Sequence, residues 1–328
     1  MKALVLEAPE RLVCREAPDP SPGDGELSIR IAASGICGSD MHAYLGHDER
    51  RPTPLILGHE CAGTIIGGPR DGERVAVNPL ATCGVCPSCR AGRDNLCPGR
   101  QIISMPPREG AFAERVAIPA RNVVTVPDDV ASEKAALAEP IACGWHAVRV
   151  GRVAVGGTVG CALILGGGAI GLGVALSLAA QGIGDVTIVE PNAARRAVLE
   201  AAGQSAVSPD ELDRDAVFDL VIDGAGYAAT RASASRHVRA GGAIVHIGLA
   251  EAAGGLDIRR LTLWEITFIG TYTYTADDFR QTAAAIFDGR LGPLDWAETR
   301  PMSAGAEAFA DIRAGRVAAP KIILDPSQ

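Results

Sequence analysis

Cys161-Ala162-Leu163-Ile164-Leu165 runs straight into Gly166-Gly167-Gly168-Ala169-Ile170-Gly171, and the next charged residue is Asp185. Five uncharged residues read as a buried strand, the glycines as a turn, and Ile170–Gln181 as a helix packed beneath it. The turn has the form G-x-G-x-x-G, which binds a dinucleotide when it joins a strand to a helix. Gly166 permits the tight turn, Gly168 lets the backbone approach a pyrophosphate, and Gly171 lets the helix pack closely on the strand. Ile170 lies inside the turn and joins the three glycines as a cofactor-binding candidate. The helix start offers free N–H groups and the positive end of its dipole to the phosphates.

The surroundings agree with this reading. A second strand, Val186–Glu190, follows and ends in Glu190, 19 residues after Gly171. A carboxylate there accepts hydrogen bonds from both ribose hydroxyls and repels a 2′-phosphate, so NAD is favoured over NADP. Arg195, on the next helix (Ala193–Ala202), is a candidate contact for the adenosine. Arg195 and Arg196 together leave room for NADP. Further strands are expected at Leu220–Asp223, Ala243–Ile247 and Thr267–Thr271, with helices between them. Such alternation means βαβ units and a doubly wound parallel sheet of the Rossmann type, an α/β fold.

Upstream the texture differs. Residues 1–138 are rich in Pro, Gly and short β-like runs: Glu26–Ala33, Cys61–Ile66, Arg74–Asn78 and Asn122–Val126. Downstream, residues 272–328 show two helices (Asp277–Asp288, Ala304–Ala314) and a last strand, Lys321–Asp325, with no strand–helix alternation of their own. The expected organisation is a β-rich catalytic domain, 1–138, a Rossmann domain, 139–271, and a C-terminal segment, 272–328, that completes the first domain.

Composition sets the outer limits. The 328 residues suffice for about two domains. Hydrophobic residues at 47% and charged residues at 21% exclude wholesale disorder. Net charge is −8, only three of the 31 basic residues are lysines, and none cluster, which argues against nucleic-acid binding and a polybasic membrane anchor. The start, Met1–Glu7, is charged too soon for a signal peptide. Val153–Gly184 carries no charge, but ten of its 32 residues are glycine, so it reads as strand, turn and helix rather than a membrane span. Nine cysteines, an odd number, point to a reducing compartment, the cytoplasm, and to thiols used for metal or chemistry.

Four of these thiols stand at Cys83, Cys86, Cys89 and Cys97, as C-x2-C-x2-C-x7-C. Gly84, Pro87, Gly92 and Pro98 suit tight turns around an ion. Four thiolates close a tetrahedral shell, normally around zinc, with an iron–sulfur cluster as the competing occupant. A second constellation comprises Cys37 in Gly35-Ile36-Cys37-Gly38-Ser39-Asp40-Met41-His42, His59 in Gly58-His59-Glu60, and Glu139 in Ala138-Glu139-Pro140. Cys37, His59 and an acid can make a three-ligand zinc site with an open position. The other histidines, His47, His146, His237 and His246, read as surface or satisfied interior groups. Cys14, Cys61, Cys143 and Cys161 read as small buried hydrophobes.

Taken in this order, glycine-framed Cys37, Gly58-His59-Glu60, the four-cysteine lobe and the glycine turn resemble the zinc-dependent medium-chain alcohol dehydrogenases over essentially the whole chain. Glu139-Pro140 makes the chain most similar to the polyol, threonine and secondary-alcohol members. The resemblance implies a GroES-like catalytic domain, one catalytic and one structural zinc, and a homodimer or homotetramer, with strand Thr267–Thr271 at an exposed sheet edge. It implies reversible oxidation of a small secondary alcohol or polyol to a ketone. Cys37 and His59 match ligands of the catalytic zinc, with Glu60 and Glu139 as the two acidic candidates. Ser39 matches the hydroxyl that takes the substrate proton, His42 the histidine that relays it, and Asp40 the acid that orients His59. Lys321 resembles a basic residue that contacts the cofactor pyrophosphate. Three other readings remain: a sugar-modifying or aminocyclitol dehydrogenase, a zinc-independent quinone or enone reductase, and a non-enzymatic dinucleotide-binding protein. The chain departs from the family in two shortened regions, Gly67–Gly72 and the 12 residues between Cys97 and Gly110. Such loops shape substrate pockets, so the substrate is the part these departures leave open.

Overall fold

The computed structural model describes residues 1–328. Its centre is a six-stranded parallel sheet in the order Ser205–Val207, Asp185–Val189, Cys161–Leu165, Phe218–Asp223, Val238–His246, Thr267–Gly270. In chain order this is 3-2-1-4-5-6, the Rossmann arrangement. Cys161–Leu165 lies mid-sheet because Ala162, Leu163 and Ile164 are fully buried and no face of the strand is polar. Leu165 stands opposite Val189 on one side and Asp223 on the other. The register therefore brings Gly166, Glu190 and Gly224 out of the sheet at one level, where the strand order reverses and ligands bind.

Helix Ala138–Val155 packs on helix Ala169–Ala180 through glycines. A Cβ on Gly144 would lie 2.6 Å from the Val174 nitrogen, and one on Gly173 would lie 3.2 Å from the Ile141 Cα. The two backbones meet at a distance only glycine allows. This helix touches strand Glu60–Ile66 of the β-rich part and also packs on the parallel sheet, so it ties the two together.

The β-rich part is organised on strand Glu26–Gly35. It pairs antiparallel with Glu60–Ile66, Arg115–Pro119 and the C-terminal strand Lys321–Asp325. The segment after residue 271 departs from its sequence reading in one respect. Strand Ala297–Pro301 runs parallel to Lys321–Asp325, and helix Gly305–Arg313 crosses between them. The tail thus holds a βαβ unit. Its first strand escaped the sequence because it reads Ala-Glu-Thr-Arg-Pro, a polar run ending in proline. Helix Ala276–Phe287 packs on helix Ala138–Val155, where buried Asp278 accepts from Arg149 at 2.7 Å and contacts His146 Nδ1 at 2.8 Å. No helix is long and apolar enough to cross a membrane.

The expected histidines behave as satisfied or surface groups: His237 contacts the Ala216 carbonyl, His246 contacts Asp223, and His47 is exposed. Cys14 corrects its reading. It is exposed, because strand Arg11–Glu16 is the edge of a three-stranded sheet and its last three residues, on both faces, reach solvent.

Candidate active site

Cys37 sits where strand Glu26–Gly35 hands over to helix Gly38–Tyr44, as the residue capping the helix start. The Cys37 N–H donates to the Asp40 carboxylate at 3.0 Å, which holds the turn. His59 and Glu60 come from the entry to strand Glu60–Ile66, paired beside it so that Gly35 faces Glu60. The Cys37 thiol, a His59 ring nitrogen and a Glu60 carboxylate oxygen all lie within 4.8 Å of one another.

The donor set fits a zinc ion. His59 Nδ1 faces the fully buried Asp40 at 3.4 Å, an ion-pair distance rather than a formed hydrogen bond, which leaves Nε2 for a metal. Burial raises the Asp40 carboxyl, but His59, Arg51 and the Cys37 N–H outweigh it and hold the group at about 2. Glu60 Oε2 is buried and has no hydrogen-bond partner. Buried carboxylate oxygens are rarely left so, and a metal ion held with Cys37 and His59 would supply the missing partner. Gly35 makes the space: a Cβ there would lie 2.2 Å from that oxygen.

Glu139 lies outside the converging trio. It begins helix Ala138–Val155, and its Oε1 accepts a 2.7 Å hydrogen bond from the hydroxyl of Tyr274. Burial and the neighbouring Glu60 push its carboxyl up to about 7, against the pull of His59, Tyr274 and Lys321. Nothing local marks Tyr274, which is 135 positions away.

Lys321 has a different contact from the one expected. Its Nζ donates to Glu60 Oε1 at 2.6 Å and to the Ile36 carbonyl at 2.8 Å. It is buried, and burial alone would lower its pKa, yet Glu60 and Cys37 raise it and keep the ammonium charged. The sheet pairing of the last strand beside Gly35 sets this position, so Lys321 pairs with Glu60 while also lining the cleft. Ser39 and His42 lie one turn apart on helix Gly38–Tyr44, both half-buried, and no hydrogen bond joins their side chains.

The glycine turn faces the same cleft, of about 750 Å³, which Cys37, Met41, Glu60 and Lys321 also line. Gly166 has φ +98°. A Cβ on Gly171 would lie 1.8 Å from the Gly166 oxygen, whereas one on Gly168 would meet nothing within 4 Å. Gly168 therefore opens on the space a pyrophosphate would fill. Glu190 is buried, and accepts from the Gly167 N–H at 2.9 Å and the Asn192 N–H at 2.8 Å. Ile170 and Arg195 line the cleft, and Arg195 donates to the Val317 carbonyl at 3.2 Å. Arg196 turns to the Glu190 and Pro191 carbonyls instead.

In the second cluster the sulfurs of Cys83 and Cys97 are 3.5 Å apart, those of Cys86 and Cys89 3.5 Å, and those of Cys83 and Cys89 3.9 Å. A tetrahedral ion bound at about 2.3 Å needs sulfur separations of roughly 3.8 Å. The Cys86 N–H donates to the Cys83 sulfur at 3.4 Å, and with the Val85 N–H it draws that thiol down to about 6. Backbone donors thus favour the thiolate a metal requires.

A Rossmann turn and a Cys/His/acid cluster on one cleft, with a four-thiol lobe beside them, define a zinc- and dinucleotide-binding oxidoreductase. Residues 23–128 match the alcohol dehydrogenase GroES-like domain, and residues 169–288 match the zinc-binding dehydrogenase domain. The chain is 32% identical over 307 residues to L-galactonate-5-dehydrogenase of Escherichia coli K12, covering 89% of this chain and 88% of that one. Its other curated relatives include dehydrogenases of sorbitol and L-idonate. An alcohol dehydrogenase from E. coli CFT073 with NADH bound superposes with a TM-score of 0.88 at 25% identity, covering 99% of both chains. A zinc-binding dehydrogenase from Sinorhizobium meliloti with NADP bound superposes at 0.89 with 27% identity, again covering 99% of both chains. The chain belongs to the zinc-dependent medium-chain alcohol dehydrogenase family.

Proposed function

We propose that the protein reversibly oxidises one secondary hydroxyl of a polyol or sugar acid to a ketone, using NAD. The observation that carries this is the shared cleft: Cys37 and Glu60 line it on one side and the glycine turn on the other. Cys37, His59 and Glu60 would hold the catalytic zinc, with Glu139 as the further acid, and Cys83, Cys86, Cys89 and Cys97 the structural one. When bound, zinc supplies Lewis acidity to the substrate oxygen and the nicotinamide accepts a hydride.

The chain's own residues do the rest. Asp40, 3.4 Å from His59 Nδ1, draws that side of the ring towards itself, and its charge favours a proton on Nδ1. Lys321 balances the Glu60 charge at 2.6 Å and leaves its second oxygen for the metal. Ser39 takes the hydroxyl proton and His42 passes it to solvent. Gly166, Gly168, Ile170 and Gly171 seat the pyrophosphate on the start of helix Ala169–Ala180. Glu190, held by two backbone N–H groups, presents its carboxylate to the ribose and supports NAD over NADP, as does the engagement of Arg196 with carbonyls. Arg195 borders the adenosine end.

The same reading divides the chain at 138 and 271, supported by the pairing of Lys321–Asp325 with Glu26–Gly35. It also takes the protein as a homodimer or homotetramer, supported by the exposed apolar Leu263, Trp264 and Phe268 at the open edge strand Thr267–Gly270. Nine unpaired cysteines support the cytoplasm.

The test is absorbance of the reduced nicotinamide with NAD and a panel of polyols, sugar acids, threonine, butanediols and aminocyclitols. A rate with a polyol or sugar acid, lost on zinc removal and smaller with NADP, is the expected result. No rate with any member, with both zincs bound, overturns it.

A further inference from the structure

The four-cysteine lobe touches the rest of the molecule at a place no local stabilising role requires. Just before Cys97, buried Asn95 donates from Nδ2 to the Tyr272 carbonyl at 2.8 Å. Its neighbour Asp94 accepts from the Ala276 N–H, at 3.1 Å with one carboxylate oxygen and 3.2 Å with the other. That N–H opens helix Ala276–Phe287, whose start thereby gains an anion from 182 positions away. The Arg100 guanidinium lies 4.7 Å over the Tyr272 ring. Three side chains close to Cys97 thus grip both ends of the segment Tyr272–Ala276.

Between the two grips the chain is strained and then functional. Thr273 has φ +47°, a left-handed conformation that a β-branched residue adopts only under constraint. The next residue, Tyr274, is buried and donates the one hydrogen bond that the Glu139 side chain accepts. The helix fixes the Glu139 backbone; its carboxylate is aimed by Tyr274. Tyr274 in turn sits where the lobe holds Tyr272 and Ala276.

We infer that the four-cysteine lobe is a positioning element of the mixed-donor centre, with Asn95 and Asp94 acting through Tyr274 on the Glu139 carboxylate. The inference rests on Glu139 being an acid of that centre. Metal in the lobe then fixes the Asp94–Asn95 turn beside Cys97, and through it the aim of an acid in another part of the molecule.

The test is a double-mutant cycle of Asn95→Ala and Tyr274→Phe on the zinc-loaded full chain. The readout is zinc release to a chromogenic chelator; the phase missing in Cys37→Ser belongs to the mixed-donor centre. Each single substitution is expected to speed that phase by roughly 10-fold or more, the scale on which partners behind metal ligands act. The double variant should be no faster than Tyr274→Phe alone. Turnover, once a substrate is known, should show the same non-additivity in kcat. Zinc release is read without any substrate, so failure of the proposed reaction and failure of this inference are separate results. An Asn95→Ala protein that releases mixed-centre zinc at the unaltered rate overturns the inference, and so do additive effects in the double variant. Should Asn95→Ala not fold, Asp94→Asn loosens the other grip and is judged by the same two outcomes.

Discussion

The two candidate metal clusters are built in opposite ways. Cys83, Cys86, Cys89 and Cys97 lie within 15 consecutive residues, three of them at least partly exposed, and the ligand set is closed by turns and backbone N–H groups of its own loop. Cys37, His59 and Glu60 are assembled from neighbouring strands, and the groups that tune them come from far away: Lys321 from the last strand and Tyr274, through Glu139, from the tail. A closed thiolate shell needs no more than chain spacing. A centre with an open position needs a wall of oriented neighbours, and only packing supplies one.

The sharpest way to break this contrast is at the thiols themselves. Cys37→Ser should abolish NAD-linked turnover while cofactor still binds, measured by absorbance and by titration of nicotinamide fluorescence. Turnover retained in a variant lacking zinc at that centre would falsify the assignment. Asp40→Asn leaves every ligand in place and removes the charge behind His59. Activity and affinity at the mixed-donor centre should fall roughly 10- to 100-fold, with the lobe metal unaffected. Cys97→Ser should lower Tm and release the lobe zinc, because a buried ligand is lost from a loop with little core of its own.

Two glycine substitutions separate ligand space from packing. Gly168→Ala should leave Tm unchanged and weaken NAD binding, because its Cβ meets no protein atom. Gly171→Ala should destabilise by about 1–3 kcal/mol or more, since its Cβ would lie against the Gly166 carbonyl. Equal effects on Tm would remove the distinction.

The smallest effect concerns pH. Asp278 is held well below the usual carboxylate range: burial raises it, but Arg149, His146 and Thr275 outweigh burial. A depressed folded-state pKa gives stability that is complete above about pH 4 and is lost as pH falls towards the folded value. Denaturant unfolding should show that loss in the unaltered protein. Asp278→Asn should flatten the acid-side slope and cost about 2 kcal/mol at neutral pH. An unchanged slope would place the acid sensitivity elsewhere, with the buried Asp40 as the first alternative.

What was legible without the structure follows the same division. Strand Cys161–Leu165 and its turn were readable because a buried parallel strand is uniformly apolar and the glycines obey local backbone rules. The lobe was readable because its ligand spacing is short. The central strands Glu26–Gly35 and Glu60–Ile66 were found within two residues of their ends. Strand Ala297–Pro301 was missed because it is polar and closed by proline.

The sequence by itself determined the residue types, the dinucleotide turn, the four-thiol shell and hence the chemistry open to the chain. Tertiary structure decided that Glu60 converges with Cys37 and His59 while Glu139 stands apart, that Lys321 pairs with Glu60, and that Tyr274 donates to Glu139. The reason is distance along the chain. Contacts between residues a few positions apart follow from backbone geometry, which sequence encodes directly. Contacts across 135 to 261 positions exist only once two sheets and the helix between them have packed.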